Sequence, residues 1–366
     1  MENSKPRVLI VASIYPPDPG GPALHANKQF EYFDRMGFKV GLVVLSWYKK
    51  WPIGLRHLIF FFKILAKIWR YDLVYMHDAV GAGLPALIAA KIFRKRSIVR
   101  IGGDLAWERK VDRNKTDLSM NEWYTAGYNF NDRFYKLSRW LLRRVNKIVV
   151  PSPLLSNLYE RYYGIGPEKV QVIPNPIPEI TKNLIVNQKR TIVYASRLVA
   201  YKNLRFVLRV LSKIFPLNND IKFIIMGDGP EKASLIKFAK TLKIEGQVVF
   251  TGLVDQSKVF EETAICLFTI GPALTEFNPN YILQSLSFGK PFLISKENGF
   301  PFEVPDGFLF DPRDESELES RINSFLTVDG YTKALNQARS IDFKMSWDDV
   351  MISNLNLIRQ LLNGQK

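Results

Sequence analysis

Apolar positions in the first half of the chain follow two alternating patterns. Short runs of apolar, often β-branched residues cover 7–14, 39–45, 73–77, 97–101, 147–150 and 170–173. Between them, apolar positions recur at helical spacing over about 24–36, 53–70, 85–93, 132–144 and 154–163. Apolar strands separated by helices of ~10–15 residues predict βαβ units and a parallel sheet covered on both faces. The rhythm stops at PNPIPEITKNLIVNQKR (174–190), where three prolines and a polar tail predict a linker. It then restarts, with strands expected over 191–195, 222–226, 248–250, 265–269 and 292–295 and helices over 203–215, 231–243 and 281–288.

Two similar halves joined by a proline-rich hinge predict an α/β protein of two Rossmann-like, doubly wound parallel-sheet domains, residues 1–174 and 175–345. In such sheets ligands bind outside the carboxyl ends of the strands. Facing halves would place a site in the cleft between them.

Composition narrows the class. The 366 residues are 47% hydrophobic and 23% charged, which excludes a disordered or fibrous chain. A single cysteine, Cys266, excludes an intrachain disulfide framework and points to a reducing compartment. Three scattered histidines beside that one cysteine argue against a zinc site. The apolar run behind Lys5 and Arg7 imitates a signal peptide, but it stops at Pro16-Pro17 without a small-residue cleavage site, so a buried first strand is expected. No apolar stretch approaches the ~18 residues needed to span a bilayer.

The charge of +16 is uneven. Residues 1–180 carry 28 Lys and Arg against 15 Asp and Glu, a net of +13, whereas 181–366 carry 23 against 20, a net of +3. An anionic partner for the N-terminal half is one reading and a merely soluble basic face is the other. WPIGLRHLIFFFKILAKIWRYD (51–72) sharpens the question: Arg56, Lys63, Lys67 and Arg70 accompany large apolar residues, tryptophans flank the run, and no acid precedes Asp72. Such a helix suits the surface of an anionic membrane. The alternative is a helix that buries its aromatics on the sheet. No recognised nucleic-acid-binding module is present, so nucleic acid is not expected as a partner.

Several strand exits carry candidate chemistry. YPPDPGG places Gly20 and Gly21 between the first strand and a helix, where backbone can approach a phosphate closely. In YASRLVAYKNL, Arg197 and Lys202 follow a strand and enter a helix, a good arrangement for holding a diphosphate. FIIMGDGPE puts Gly227 in a turn after a strand, and FTGLV puts Leu253 at another exit, where backbone groups could read a base. LTEFNPNYILQSLSFGKP sets Glu276 in a loop, Asn278, Pro279 and Asn280 at a helix start, and Gln284 eight residues beyond the glutamate. Carboxylate, amides and carboxamide together suit a ligand that bears both hydroxyls and phosphate.

These five segments, in this order, resemble a glycosyltransferase of family 4, of the "group 1" type, and the resemblance covers nearly the whole chain. It implies the GT-B fold, retaining transfer from a nucleotide sugar as co-substrate, and neither a bound metal nor a resident cofactor; the sequence has no D-x-D. It implies that Arg197 and Lys202 hold the donor diphosphate and that Glu276, the first glutamate of the family's E-x7-E, contacts the donor sugar. Gln284 stands where the second glutamate usually binds the ribose hydroxyls. Asn278–Asn280 would face the sugar or phosphate, and Gly20 and Gly21 would close over the diphosphate. VRIGGDLAWERK resembles a subgroup with Gly-Asp-x-x-Trp-Glu, which makes Asp104 the first candidate for contact with the reacting sugar or acceptor and Glu108 the second. The other reading has Asp104 capping a turn and Trp107 packing. His77, at the end of the preceding strand, would point into the same region.

The tail, 346–366, resembles the family's final helix, which packs back on the N-terminal domain, with Met351, Leu355, Ile358 and Leu362 at helical spacing. The implied function is sugar transfer to a glycan or lipid-linked acceptor in cell-surface polysaccharide or glycolipid synthesis. The expected location is cytoplasmic, with a peripheral position on the inner face of the plasma membrane as its extension. The competing readings are a peripheral membrane scaffold and a non-catalytic subunit that binds a nucleotide sugar.

Overall fold

The computed structural model describes residues 5–18, 20–177 and 189–364; most of the expected linker lies outside them. The chain divides into two compact units. Unit 1 comprises Met1–Ala106, Tyr128–Pro174 and Trp347–Lys366, and unit 2 comprises Trp107–Gly127 and Asn175–Ser346. The expected first domain ran unbroken to 174, whereas Trp107–Gly127 is part of unit 2. That segment is attached there by side-chain contacts that a linear pattern does not encode.

Unit 1 is built on strands β1 (Arg7–Ala12), β2 (Lys39–Val44), β3 (Leu73–Met76), β4 (Arg96–Arg100), β5 (Lys147–Val150) and β6 (Val170–Val172). They form one sheet in the order β2-β1-β3-β4-β5-β6, parallel throughout. Val8–Ala12 and Leu73–Met76 are wholly buried, as strands covered by helices on both faces must be. The helix Pro153–Tyr163 shows how locally the sequence sets an element. Ser152 accepts from the Leu155 amide, Pro153 occupies the first turn, and Gly164 ends the helix in the left-handed conformation. The C-terminal helix Trp347–Asn363 belongs to this unit: Met351, Leu355 and Ile358 are buried, and the Tyr75 hydroxyl donates to Asn354 Oδ1 at 2.5 Å.

Unit 2 repeats the plan with β7 (Thr191–Ala195), β8 (Lys222–Met226), β9 (Val248–Gly252), β10 (Phe268–Gly271), β11 (Phe292–Ser295) and β12 (Leu309–Phe310), in the order β12-β11-β10-β7-β8-β9, again all parallel. The helix Leu204–Ile214 buries seven of its eleven residues on this sheet, from Leu204 to Ile214. One expectation shifts here. The strand expected from residue 265 begins at Phe268, and Gln256–Ile265 is a helix. AICLFTI is apolar without interruption, so periodicity cannot separate a buried helix end from a buried strand. Cys266 ends that helix, and burial pushes its thiol up to about 12, so it stays protonated.

Candidate active site

The strand order of unit 2 reverses between β7 and β10, and loops leaving neighbouring strands diverge at such a point. A cleft of about 280 Å³ opens there. Lys202, Gly227, Leu253, Glu276, Asn278, Pro279, Asn280 and Gln284 all line it, so eight positions singled out in four separate sequence segments meet in one place.

At its centre is an ion pair. Lys202 Nζ lies 2.8 Å from Glu276 Oε1 and 2.6 Å from Oε2, with both side chains about nine-tenths buried. An ammonium has three donors, and two are committed to the carboxylate, which leaves one for a ligand. The loop that carries Glu276 is held on both sides: its amide donates to the Glu297 carbonyl at 2.9 Å, and its carbonyl accepts from Gly299 at 2.7 Å. The Leu274 amide donates to the Tyr201 carbonyl, which ties this loop to the one that carries Lys202. The position of the pair is therefore fixed by the backbone as well as by its own hydrogen bonds.

The helix Asn280–Ser287 starts at the cleft, so its first-turn amides and the positive end of its dipole are directed there. Asn175 Nδ2 donates to Asn278 Oδ1 and, at 2.6 Å, to Asn280 Oδ1, which orients both carboxamides. Gln256 Nε2 donates to Gln284 Oε1 at 3.1 Å. Neither Asn175 nor Gln256 carries a local signal in the sequence: one sits in the proline-rich stretch and the other opens a helix that the apolar pattern does not reveal.

Gly227 has a positional reason. With φ at 137°, an added Cβ would lie 2.0 Å from the Ser196 carbonyl oxygen. That closeness lets the strand exits pair beyond the sheet, with Ser196 donating to Met226 and Leu198 donating to Asp228. The GDG turn is thus matched to the loop beside it.

Arg197 departs from the expected clamp. It does not line the cleft; its guanidinium donates to the Tyr201 hydroxyl at 3.2 Å. Its pKa is raised, first by the Tyr201 oxygen and then by Glu108 and Asp112. Burial, followed by the charge of Glu108, raises the Tyr201 hydroxyl well above its usual value, so it stays neutral. Burial also raises Asp112, with Arg197 opposing. Glu108 and Asp112 both lie in the Trp107–Gly127 segment. Trp107 packs that segment down, with its ring 5.7 Å from Tyr201 and 5.4 Å from Phe277. Glu297 holds the far end, accepting from Ser119 Oγ, Thr275 Oγ1 and the Asn121 amide, while Arg313 pairs with Glu122 at 2.6 Å. Glu108, expected on the acceptor side, is thus a neighbour of Arg197 in unit 2.

The remaining candidates lie in unit 1. Gly20 precedes the helix Gly21–Arg35 with φ at 134°, a conformation that favours glycine. His77 and Asp104 are buried in the interior. His77 Nε2 is 2.8 Å from Gln29 Oε1, and burial, with Arg100 adding to it, pushes the imidazole pKa down to about 3. Asp104 is 1% exposed and accepts from the Tyr163 hydroxyl at 2.5 Å. Both side chains are engaged in packing, and neither is displayed to solvent.

Two doubly wound α/β units with a polar cleft at a strand-order reversal define a two-domain protein of the GT-B class. Known proteins agree. Residues 7–179 match the profile described as Glycosyltransferase Family 4, and residues 177–340 match Glycosyl transferases group 1. The chain belongs to this family of glycosyltransferases. Among curated relatives, a phosphatidylinositol N-acetylglucosaminyltransferase component of Arabidopsis thaliana is 23% identical over 95% of this chain and 80% of its own length. Alpha-monoglucosyldiacylglycerol synthase of Streptococcus pneumoniae is 28% identical over 43% of this chain, a match that spans only 39% of the relative. Among solved structures, Anabaena HepE in complex with UDP and glucose superposes with a TM-score of 0.73 at 17% identity, over 96% of this chain and 99% of that one, a likeness of fold.

Proposed function

We propose that the protein transfers a sugar, with retention at the anomeric carbon and without a bound metal, from a nucleotide-sugar donor to a glycan or lipid-linked acceptor. The observation that carries this reading is the buried Lys202–Glu276 pair beside the start of the helix Asn280–Ser287. The third donor of Lys202 and the helix-start amides meet a diphosphate; the oxygens of Glu276 meet sugar hydroxyls. As the bond from the anomeric carbon to the diphosphate breaks, the negative charge that collects on the leaving oxygen is met by Lys202 and the helix dipole. Gln284 and Gln256 form the ribose end, with Gly227 and Leu253 beside the base. That an Arabidopsis relative and a Streptococcus relative carry glycolipid-forming names, and that HepE was solved with UDP, supports a donor of this type and an acceptor of lipid or glycan chemistry. The remaining proposals are a cytoplasmic site of action and buried supporting roles for His77 and Asp104 on the acceptor side.

In this reading Arg197 acts on the Trp107–Gly127 segment through charge, facing Glu108 and Asp112, and not as a diphosphate ligand. The test compares two variants by nucleotide titration calorimetry and donor hydrolysis. Lys202→Ala is expected to lose a charge-assisted contact worth about 1.5–3 kcal/mol of nucleotide affinity, and Arg197→Ala well under half of that. Equal losses would restore the two-cation clamp, and nucleotide binding untouched in Lys202→Ala would end the proposal. Binding without any turnover in the wild-type protein, tested with a panel of nucleotide sugars, would favour the non-catalytic reading.

A further inference from the structure

The helix Ile53–Ile68 of unit 1 has two apolar faces. Phe60, Ile64 and Ile68 recur every fourth residue and are wholly buried. Leu55, Leu58, Phe62 and Trp69 recur at spacings of three, four and seven and are all exposed, Phe62 by 57% and Trp69 by 55%. At ~3.6 residues per turn these two sets lie on opposite sides of the helix. The sheet-packing explanation for the aromatics in this stretch therefore accounts for only one of the faces. The neighbouring helix Gly83–Ile92 adds exposed Ile88 and Ile92, and Phe93 follows it. Trp47 and Trp51, both about half exposed, stand just before the first of these helices. A concentration of large apolar side chains of this kind on a surface marks a contact with something apolar.

Charge selects the partner. Residues 47–96 contain ten Lys and Arg and two acids, Asp72 and Asp78. Asp72 is paired with Arg7 at 2.5 Å, and Asp78 accepts from Ser13 and the Ala82 amide. Arg56, Lys63, Lys67 and Arg70 fall along one flank of the outward apolar face, and among the described residues none of them has a carboxylate partner within ion-pair distance. A second copy of this chain would bring the same ten cations against these, and like charges oppose such an interface. Among the described residues no helix is long and apolar enough to cross a membrane. An apolar strip with a one-sided cationic margin fits a helix lying in the headgroup layer of an anionic bilayer.

We infer that unit 1 docks on anionic lipid through the outer faces of the helices Ile53–Ile68 and Gly83–Ile92, with Leu58, Phe62 and Trp69 inserted and Arg56, Lys63, Lys67 and Arg70 at the phosphates. This surface stands apart from the donor reading, because neither nucleotide nor acceptor takes part in the measurement. The full chain is sedimented with phosphatidylcholine vesicles with and without phosphatidylglycerol. The wild-type protein is expected to bind the phosphatidylglycerol vesicles selectively, and less as salt rises, since charges are screened over ~8 Å at physiological ionic strength. Replacing the four cations by Gln should weaken binding by more than about tenfold, given what each contributes near an anionic surface. Leu58→Gln with Phe62→Gln should weaken binding with all charges kept; both side chains are exposed, so folding, checked by thermal melting, should be unchanged. Equal binding to neutral vesicles, no binding at low salt, unchanged binding in either variant, or concentration-dependent dimerisation abolished by Phe62→Gln would each overturn the inference.

Discussion

The two units share a plan and use it differently. Each is a six-stranded parallel sheet whose order reverses beside its first strand, at β1 and at β7. In unit 2 the polar groups at that reversal open to a cleft: Lys202 and Glu276 pair with each other and line it together with Asn278 and Gln284. In unit 1 the polar groups near the corresponding strand ends turn inward. His77 meets Gln29, Tyr75 meets Asn354, Asp104 meets Tyr163, and the buried Arg100 donates to the Ile173 carbonyl at 3.4 Å. The distinguishing chemistry of unit 1 lies instead on its outer helices, in exposed apolar and basic residues. A doubly wound sheet thus brings polar groups to its strand ends without obliging them to open to a cleft. Polar side chains at the strand ends have protein partners in both units; what differs is that those of unit 2 line a cleft while His77 and Asp104 of unit 1 are buried.

The strongest way to break this contrast is to separate the buried ion pair of unit 2. Lys202→Ala leaves Glu276 buried without its cation, and an uncompensated buried charge costs about 3–5 kcal/mol. Lys202→Met with Glu276→Gln removes both charges and should recover most of the melting temperature without recovering nucleotide affinity. If the single variant melts like the wild type, the pair is solvated and the contrast with unit 1 fails. Recovery of binding in the double variant would show that the cleft works without its charges.

The inward-turned polar groups of unit 1 make a pH prediction. Burial favours the neutral imidazole of His77 in the folded protein, with a pKa of about 3 against 6.5 when exposed. Between those values the unfolded chain binds the extra proton, so the stability this histidine contributes is full above pH 6.5 and is lost as pH falls toward 3. The slope is at most about 1.4 kcal/mol per pH unit. His77→Gln keeps a donor for Gln29 and should flatten acid unfolding between about pH 6 and about pH 4. An unchanged slope would mean that water reaches His77 and that this strand end resembles the one in unit 2.

The smallest effect concerns the neutral end of the cleft. Gln284→Glu still accepts from Gln256 and should hold or tighten nucleotide binding by up to about 1.5 kcal/mol, whereas Gln284→Leu should weaken it by a similar amount. Identical titrations for all three proteins would remove Gln284 from the site and narrow the cleft's role to the phosphate and sugar end.

Much of this molecule was legible from its pattern of apolar runs. Alternation set eleven of the twelve strands among the described residues and the two-sheet class, because a strand buried on both faces must be apolar throughout and its crossover helix must alternate. Order along the chain also set which residues meet in the unit 2 cleft, since loops after parallel strands emerge at one end of a sheet and β7, β8, β9 and β10 each lead into one. Three matters had to wait for tertiary contacts. Trp107–Gly127 joins unit 2 through Trp107, Glu297 and Arg313, in contacts that span 70 or more residues and that no local spacing announces. Arg197 and Lys202 look equivalent five residues apart, yet the 3₁₀ turn at Ala200–Lys202 carries one into the cleft and leaves the other beside Tyr201. The helix Ile53–Ile68 is apolar on two sides, and composition alone could not say which side the protein covers. Sequence determines which faces can be buried; only packing decides which of them are, because burial depends on what the rest of the chain brings against each face.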